Sequence, residues 1–304
     1  MDLSLYSASF LLTVSLLGCI SNWMMNTVYA KRKLRTKSDV YLVTMVSTFV
    51  TTGMMLFFWV TDPRGSVYTL LIGLGFGIAA VSATLFSNLA ITEGPISLTR
   101  ILLNLSTLIT ALSGRIFWDE SFSVLMAVGL LLLVVSFILC VGKDRESGKK
   151  GNGKWLLYLC LSIVSSAGVG LLQKVHQLSA HADELYYLLF ISFVIASAFS
   201  SVMYFLNRGK KEERAALPGI PLSFFAAACL ICGIGNGLNF VLNTYLCGVM
   251  KSAVFFPIVN GIPLLAILVL SFLFFREKLE KRQLVGFIVG SAAMVCLFAA
   301  NMIP

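Results

Sequence analysis

Three asparagines form the clearest group of side chains in the sequence that could bind a ligand. Asn236, Asn239 and Asn243 recur at spacings of three and four residues in the apolar segment GIGNGLNFVLN. These spacings put side chains on one face of a helix, and each amide supplies donors and an acceptor. The alternative, hydrogen bonding between packed helices, accounts for the neighbouring glycines better than for the asparagines. We therefore expect this asparagine stripe to line a polar cavity.

Other amides suggest the same chemistry less directly. Asn22 and Asn26 lie four residues apart beside Trp23, and contact with a ligand or with another helix explains them equally well. Asn104 and Asn260 occupy nearly equivalent positions in the two halves of the chain, which would let them face each other across a pseudo-twofold axis. We count all five residues as candidate substrate contacts.

Basic side chains within apolar segments bear on the charge of a ligand. Arg100 should lie about 8 Å along its helix from the cytoplasmic end. Lys174 lies a few residues from the outer end of another helix. Either side chain could extend to the membrane surface, or it could face a cavity and favour an anionic group. Arg100 joins the candidate substrate contacts. No aspartate or glutamate lies near a segment centre, which disfavours proton-coupled export of cationic drugs.

Catalysis requires groups that the sequence does not bring together. Its two histidines, His176 and His181, have no carboxylate or thiol partner at the spacing of a catalytic motif. Cys229 and Cys232 form a CxxC without a second ligand pair, so we expect no metal. The sequence predicts no enzyme activity and no cofactor.

The composition shows what must position these residues. Of the 304 residues 58% are hydrophobic, only 12% are charged, and the mean hydropathy is +0.90. One water-soluble core could not hide so much apolar surface, whereas a bilayer-spanning helix uses about 20 apolar residues. We expect an integral membrane protein in contact with the lipid bilayer and with no soluble domain.

Apolar stretches divide the chain into ten predicted spans around one polar linker, KDRESGKKGNGK at 143–154. The first repeat, 1–142, has spans at 4–29, 40–60, 66–91, 96–116 and 121–142, and the second, 155–304, has spans at 155–178, 183–206, 219–247, 252–275 and 283–302. The first apolar run, of about 25 residues, is too long for a cleaved signal peptide, so we expect it to remain as a span.

Basic residues predict the orientation. Eighteen of the 23 lysines and arginines lie in four segments, 31–37, 143–154, 208–214 and 276–282. Basic residues next to spans stay in the cytoplasm, and ten spans place all four segments on one side. We expect both termini outside and the basic loops in the cytoplasm. The net charge of +9 then lies at a membrane surface and implies no nucleic acid.

The two halves resemble each other weakly. At an offset of 157 positions Glu120 falls on Glu277, and Gly129 falls on Gly286. Five spans per half is an odd number, so the copies must enter the membrane from opposite sides. The predicted fold is an all-α integral membrane protein with ten transmembrane helices in two inverted five-helix repeats, an architecture typical of secondary transporters.

The segment FFREKLEKRQLVGFIVG resembles the drug/metabolite transporter superfamily in its ten-helix, EamA-like form. Glu277, Gln283, Gly286 and Gly290 look like that family's recurring glutamate, glutamine and spaced glycines, while the first half has Met126 where the glutamine would be. The resemblance implies carriage of small metabolites and structural roles for the glutamate and glycines. A bacterial plasma membrane is the location that it suggests.

The sequence thus predicts a carrier that moves a small polar metabolite by alternating access, with amino acids and organic anions as candidate cargo. A channel is the first alternative, because a polar stripe can line a pore, although channels usually build pores by oligomer symmetry. A non-transporting scaffold or receptor is the second.

Overall fold

The computed structural model describes residues 37–94, 99, 102–140, 152–206, 222–275 and 281–302, and within these ranges every regular element is a helix. The α-helices are α1 (Lys37–Thr61), α2 (Val67–Glu93), α3 (Leu105–Phe117), α4 (Val124–Cys140), α5 (Gly153–Gln177), α6 (Leu185–Leu206), α7 (Leu222–Val249), α8 (Ser252–Phe275) and α9 (Lys281–Met302). A short 3₁₀ helix, Ala182–Glu184, precedes α6. Each helix overlaps one predicted span, from the second to the tenth, and the first span lies outside the described residues.

Five of these helices are long and apolar enough to cross a membrane. The qualifying segments are Leu42–Thr61, Val67–Ile91, Gly153–Gln177, Ala182–Leu206 and Phe225–Val249. Each has 20 or 25 residues, which matches the roughly 20 residues that span the hydrocarbon core. Helices suit this environment because they satisfy every backbone hydrogen bond internally.

Large apolar side chains cover the outside of these helices. Phe57 on α1, Leu71 on α2 and Val164 on α5 are each more than three-fifths exposed. In water such a surface would be unfavourable, whereas hydrocarbon is its natural solvent. The helices and this surface together make the chain a multi-pass membrane protein.

The chain divides into two compact units, each built from two stretches of sequence. Unit 1 comprises Met1–Val81 and His176–Tyr245, and unit 2 comprises Ser82–Val175 and Leu246–Pro304. Each unit therefore draws on both sequence halves. This division describes packing, and the predicted repeats, 1–142 and 155–304 around the linker 143–154, stay a prediction.

In unit 1, α1 packs against α6. The hydroxyl groups of Thr48 and Ser200 lie 2.9 Å apart, and those of Thr52 and Ser197 lie 2.8 Å apart. Hydroxyl pairs of this kind hold helices together in lipid, where hydrophobic burial offers little driving force. They fix the two helices side by side.

Glycines let α7 approach α1 closely. A Cβ atom at Gly233 would lie 2.6 Å from Val50 Cβ and 2.7 Å from the carbonyl oxygen of Ser47. Thr51 uses this proximity to donate a hydrogen bond of 2.8 Å to the Gly233 carbonyl oxygen. One face of α7 therefore packs against α1.

Replacing Gly233 by alanine should destabilise the protein by about 1–3 kcal/mol, because the new methyl group collides with the α1 backbone, which has little freedom to shift. Gly53→Ala on α1 is the matched control, since a Cβ there meets nothing within 4 Å. Thermal unfolding in detergent measures both variants. Equal unfolding midpoints for the two would contradict the close contact.

In unit 2, α3 packs against α8, and α4 packs against α9. Gly129 on α4 faces Leu297 on α9, where a Cβ would lie 2.7 Å from Leu297 Cγ. Ser136 donates a hydrogen bond of 2.8 Å from α4 to the Gly286 carbonyl oxygen on α9. Gly129 and Gly286, which the repeat alignment superimposes, thus both lie at this helix contact.

Candidate functional site

The asparagine stripe lies on α7 in unit 1. The Asn243 side chain is only 7% exposed, and its Nδ2 donates a hydrogen bond of 3.0 Å to Asn239 Oδ1. Asn239 and Asn236 are partly exposed. The predicted single face is therefore present, and the most buried of its amides orients the next one along the helix.

This face points away from the lipid-facing surface of α7. Successive residues turn by about 100°, so Ile231 and Ile234 lie on the side of the helix opposite Asn236 and Asn239. Both isoleucines are exposed, as apolar side chains against lipid should be. The partial exposure of amides on the other side indicates space on the protein side of the helix.

An aromatic cluster borders the stripe. The ring of Phe240 meets Phe193 edge to face at 5.2 Å between centroids and meets Phe76 at 6.3 Å. Such edge-to-face pairs hold rings in fixed positions. A few polar groups beside rigid apolar walls are typical of small-molecule sites, because the polar groups set orientation and the walls supply contact area.

Two further candidate asparagines lie in unit 2. Asn104 is partly exposed and immediately precedes α3, where its side chain makes no capping hydrogen bond. Asn260 lies nine residues into α8 and is exposed. The expectation that the two face each other stays a prediction. Asn22, Trp23, Asn26 and Arg100 lie outside the described residues.

The structure shows a buried ion pair that the sequence analysis missed. Lys174 Nζ lies 2.9 Å from Glu120 Oε1 and donates a hydrogen bond of 2.8 Å to the Met250 carbonyl oxygen. The Lys174 side chain is 2% exposed and that of Glu120 is 16% exposed. Lys174 therefore neither extends to the membrane surface nor offers a free charge to a ligand, contrary to both alternatives considered above.

Glu120 also holds the start of α8. Its Oε2 accepts a hydrogen bond of 2.6 Å from the backbone nitrogen of Ser252, the first residue of that helix. Backbone N–H groups at a helix start have no partner within the helix. A carboxylate at that position also interacts favourably with the positive end of the helix dipole. This contact gives Glu120 the structural role that its position in the motif implied. The match of Glu120 with Glu277 was the sequence signal for it.

The two histidines belong to a second polar network, in unit 1. His181 Nδ1 lies 3.1 Å from Glu184 Oε1, so His181 does have a carboxylate partner, three residues along the chain. Glu184 Oε2 accepts hydrogen bonds from the Ser66 backbone nitrogen and hydroxyl group, at 2.9 and 2.7 Å. His176 Nε2 lies 3.2 Å from Thr69 Oγ1. These bonds hold the start of α2 and give Glu184 a structural role.

No cluster of three or more histidine, cysteine, aspartate or glutamate side chains within the described ranges could hold a metal ion. Cys229 and Cys232 are both buried on α7. What the described side chains offer a ligand is hydrogen bonding by amides beside aromatic walls.

Comparison with known proteins identifies a family resemblance in the second half of the chain. The model of the EamA-like transporter family matches residues 153–299. No curated protein sequence matches the chain significantly. Among solved structures 28 chains match significantly, and one of them, titled only "Crystal structure of protein", superposes with a TM-score of 0.71 at 12% identity, covering 98% of this chain and 99% of its own.

The structural likeness, at that identity, establishes a shared fold alone. The family match carries more information, because it spans nearly half of the chain and includes the motif around Glu277 and Gly286. It confirms the resemblance seen in the sequence: residues 153–299 are similar to the EamA-like transporter family.

Proposed function

We propose that this protein is a secondary carrier that moves a small polar metabolite across the membrane by alternating access. The observation that carries the proposal is the asparagine stripe, Asn236, Asn239 and Asn243, on the side of α7 away from lipid. Amides at the centre of a spanning helix are unfavourable unless they are paired or hydrated, so their presence favours a polar pathway. A carrier needs no nucleophile, cofactor or metal, and we infer no catalytic activity.

Helix pairing supports the two inverted five-helix repeats. Within unit 1, α1 packs on α6, which are the second spans of the two predicted repeats. Within unit 2, α3 packs on α8, and α4 packs on α9, which are the fourth and fifth spans. Two copies related by a twofold axis bring equivalent elements together in this way.

The proposed location is the plasma membrane of a bacterial cell. The proposed orientation has both termini outside and the basic loops in the cytoplasm. One contact in unit 2 supports the expectation that the basic segments lie on the same side of the membrane. Arg282 Nη2 donates a hydrogen bond of 2.6 Å to the carbonyl oxygen of Ile138, near the end of α4. The end of α4 and the start of α9 therefore lie at the same end of this helix pair, which supports the proposed orientation.

A screen for ligand-induced stabilisation tests the proposal. Purified protein in detergent is heated with amino acids, organic acids, sugar phosphates, nucleotide sugars or cationic drugs. We expect one chemical class to raise the unfolding temperature, since ligand at about 100 times its dissociation constant adds roughly 2.7 kcal/mol of stability.

The same screen includes a variant of the stripe. Asn236→Ala should remain folded without ligand and lose the ligand-induced shift, because Asn236 is partly exposed on the stripe face. A shift that survives in this variant would remove Asn236 from the site. The absence of a shift with every class would favour the scaffold alternative.

A further inference from the structure

Helix α8 is buried on nearly every side over its first half. Ser252 and the six residues after it are all buried, among them Phe255, Phe256 and Ile258. Gly261, Pro263 and Leu265 are buried as well. Among residues 252–263 and 265 one side chain is exposed, and it is the amide of Asn260.

The chemistry of that exposed group indicates what it faces. Helices of this protein that meet lipid expose apolar side chains, as α5 does at Val164 and α7 at Ile234. An amide set against hydrocarbon instead loses its hydrogen bonds with water, at a cost of several kcal/mol. Asn260 lies about 12 Å from the start of α8, well inside a hydrocarbon core of about 30 Å. We therefore interpret its exposure as an opening to polar space.

Proline adds a second acceptor beside this amide. Pro263 has no backbone N–H, so the carbonyl oxygen of Val259 lacks the hydrogen bond that it would receive in an uninterrupted helix. Val259 immediately precedes Asn260 and is itself partly exposed. A carbonyl oxygen that lacks its helical donor gains from a donor brought by a ligand. We refer to Asn260 Oδ1 and the Val259 carbonyl oxygen, which belong to adjacent residues of one helical turn, as the acceptor pair.

We propose that this acceptor pair binds an N–H-rich group of the transported solute, such as a primary ammonium or a primary amide. This inference rests on the proposed carrier function and deepens it by naming the group recognised at Asn260. The Asn260 Nδ2 group can at the same time donate to a carboxylate or carbonyl of the same solute. A zwitterionic amino acid satisfies both demands, whereas an organic anion without an amine does not.

Oxygen acceptors of this kind also suit a monovalent cation such as Na⁺, since interrupted helices can present backbone carbonyls to coupling ions. The shared chemistry is donation of oxygen lone pairs to a positive group. The two sources are separated by testing solute and Na⁺ independently.

The test uses the full-length protein in proteoliposomes and measures exchange of radiolabelled solutes from each class of the ligand screen, including each amino acid, for the same unlabelled solute. For each amino acid that exchanges, competition by the free amino acid is compared with competition by its N-trimethyl betaine, which keeps the charge and lacks N–H donors. We expect the betaine to compete at least tenfold more weakly. Asn260→Ala should bind the amino acid about 10- to 100-fold more weakly, and Asn260→Asp, which keeps the acceptor, should bind it more tightly than Asn260→Ala does.

Ser291→Ala is the control, because the Ser291 hydroxyl donates only within its own helix, to Phe287 at 2.9 Å. Equal competition by the betaine, unchanged affinity in Asn260→Ala, or exchange confined to solutes without N–H groups would overturn the inference and leave the carrier function standing. An Na⁺-induced thermal shift that appears without solute and disappears in Asn260→Ala would assign the acceptor pair to a cation and likewise overturn it. Exchange of no solute of any class would instead refute the proposed function.

Discussion

Replacing Lys174 by methionine should lower the free energy of unfolding by about 3–5 kcal/mol, one of the two largest effects that we expect in this protein. The substitution leaves the Glu120 carboxylate without its cation in a place where Lys174 is 2% and Glu120 16% exposed. It also leaves the Met250 carbonyl oxygen without the Lys174 donor. The turn between α7 and α8 and the start of α8 both depend on these bonds, so we expect the effect to reach beyond the pair.

Neutralising both partners should recover much of that stability. In Lys174→Met with Glu120→Gln no uncompensated charge remains, and the glutamine oxygen can still accept from the Ser252 backbone nitrogen. The unfolding midpoints of the two single variants and the double variant in detergent give the coupling free energy.

Arg115→Met is the matched control, because Arg115 and Asp119 form an ion pair whose side chains are 58% and 91% exposed. Removal of an exposed pair should cost about 1 kcal/mol or less. If Lys174→Met costs no more than Arg115→Met, the buried pair does not stabilise unit 2.

Asn239→Ala should abolish transport while the protein stays folded. Asn239 is partly exposed on the stripe face and accepts a hydrogen bond from Asn243. Truncation of its amide removes the proposed solute contact and also removes the oxygen that accepts the Asn243 hydrogen bond. Because transport requires binding in both access states, weaker binding at the stripe impairs every step of the cycle.

Ile234→Ala on the exposed, lipid-facing side of the same helix is the control for this variant. It shortens an apolar side chain away from the stripe, and transport should persist. Solute exchange in proteoliposomes, normalised to reconstituted protein, measures both variants. Full activity in Asn239→Ala would exclude the stripe as the substrate contact.

The sequence predicted the helices well because the bilayer leaves few alternatives. The predicted span 252–275 coincides with α8, Ser252–Phe275, and the span 40–60 lies within α1, Lys37–Thr61. In lipid every backbone polar group must be satisfied within the segment, so an apolar run of sufficient length becomes a helix whatever its neighbours are. Tertiary contacts, such as that of Glu120 with the Ser252 backbone nitrogen, then stabilise the helix ends.

The stripe was predictable for a local reason, and its surroundings were not. Spacings of three and four residues set a common face, and the hydrogen bond between Asn243 and Asn239 follows from that spacing. Which face points to lipid depends on partners elsewhere in the chain, such as Val50 against Gly233. The sequence alone contains no distance between those helices.

The Lys174–Glu120 pair had no local signal. Its two members lie 54 residues apart, and depth along a helix suggested only surface exposure or a cavity for Lys174. The exposure of Asn260 had no local signal either, because it depends on how the other side chains of α8 are buried by packing. The sequence could place these groups along their helices, whereas their roles depend on tertiary packing.

The most direct test of the carrier function is counterflow in liposomes that contain the purified protein. Liposomes loaded with an unlabelled solute from the class that stabilises the protein are diluted into buffer with a trace of the same radiolabelled solute. A carrier predicts transient accumulation of label above equilibrium, saturable with solute concentration and absent in Asn239→Ala. Entry of label only to equilibrium, together with unitary conductance in planar bilayers, would contradict alternating access and establish a channel.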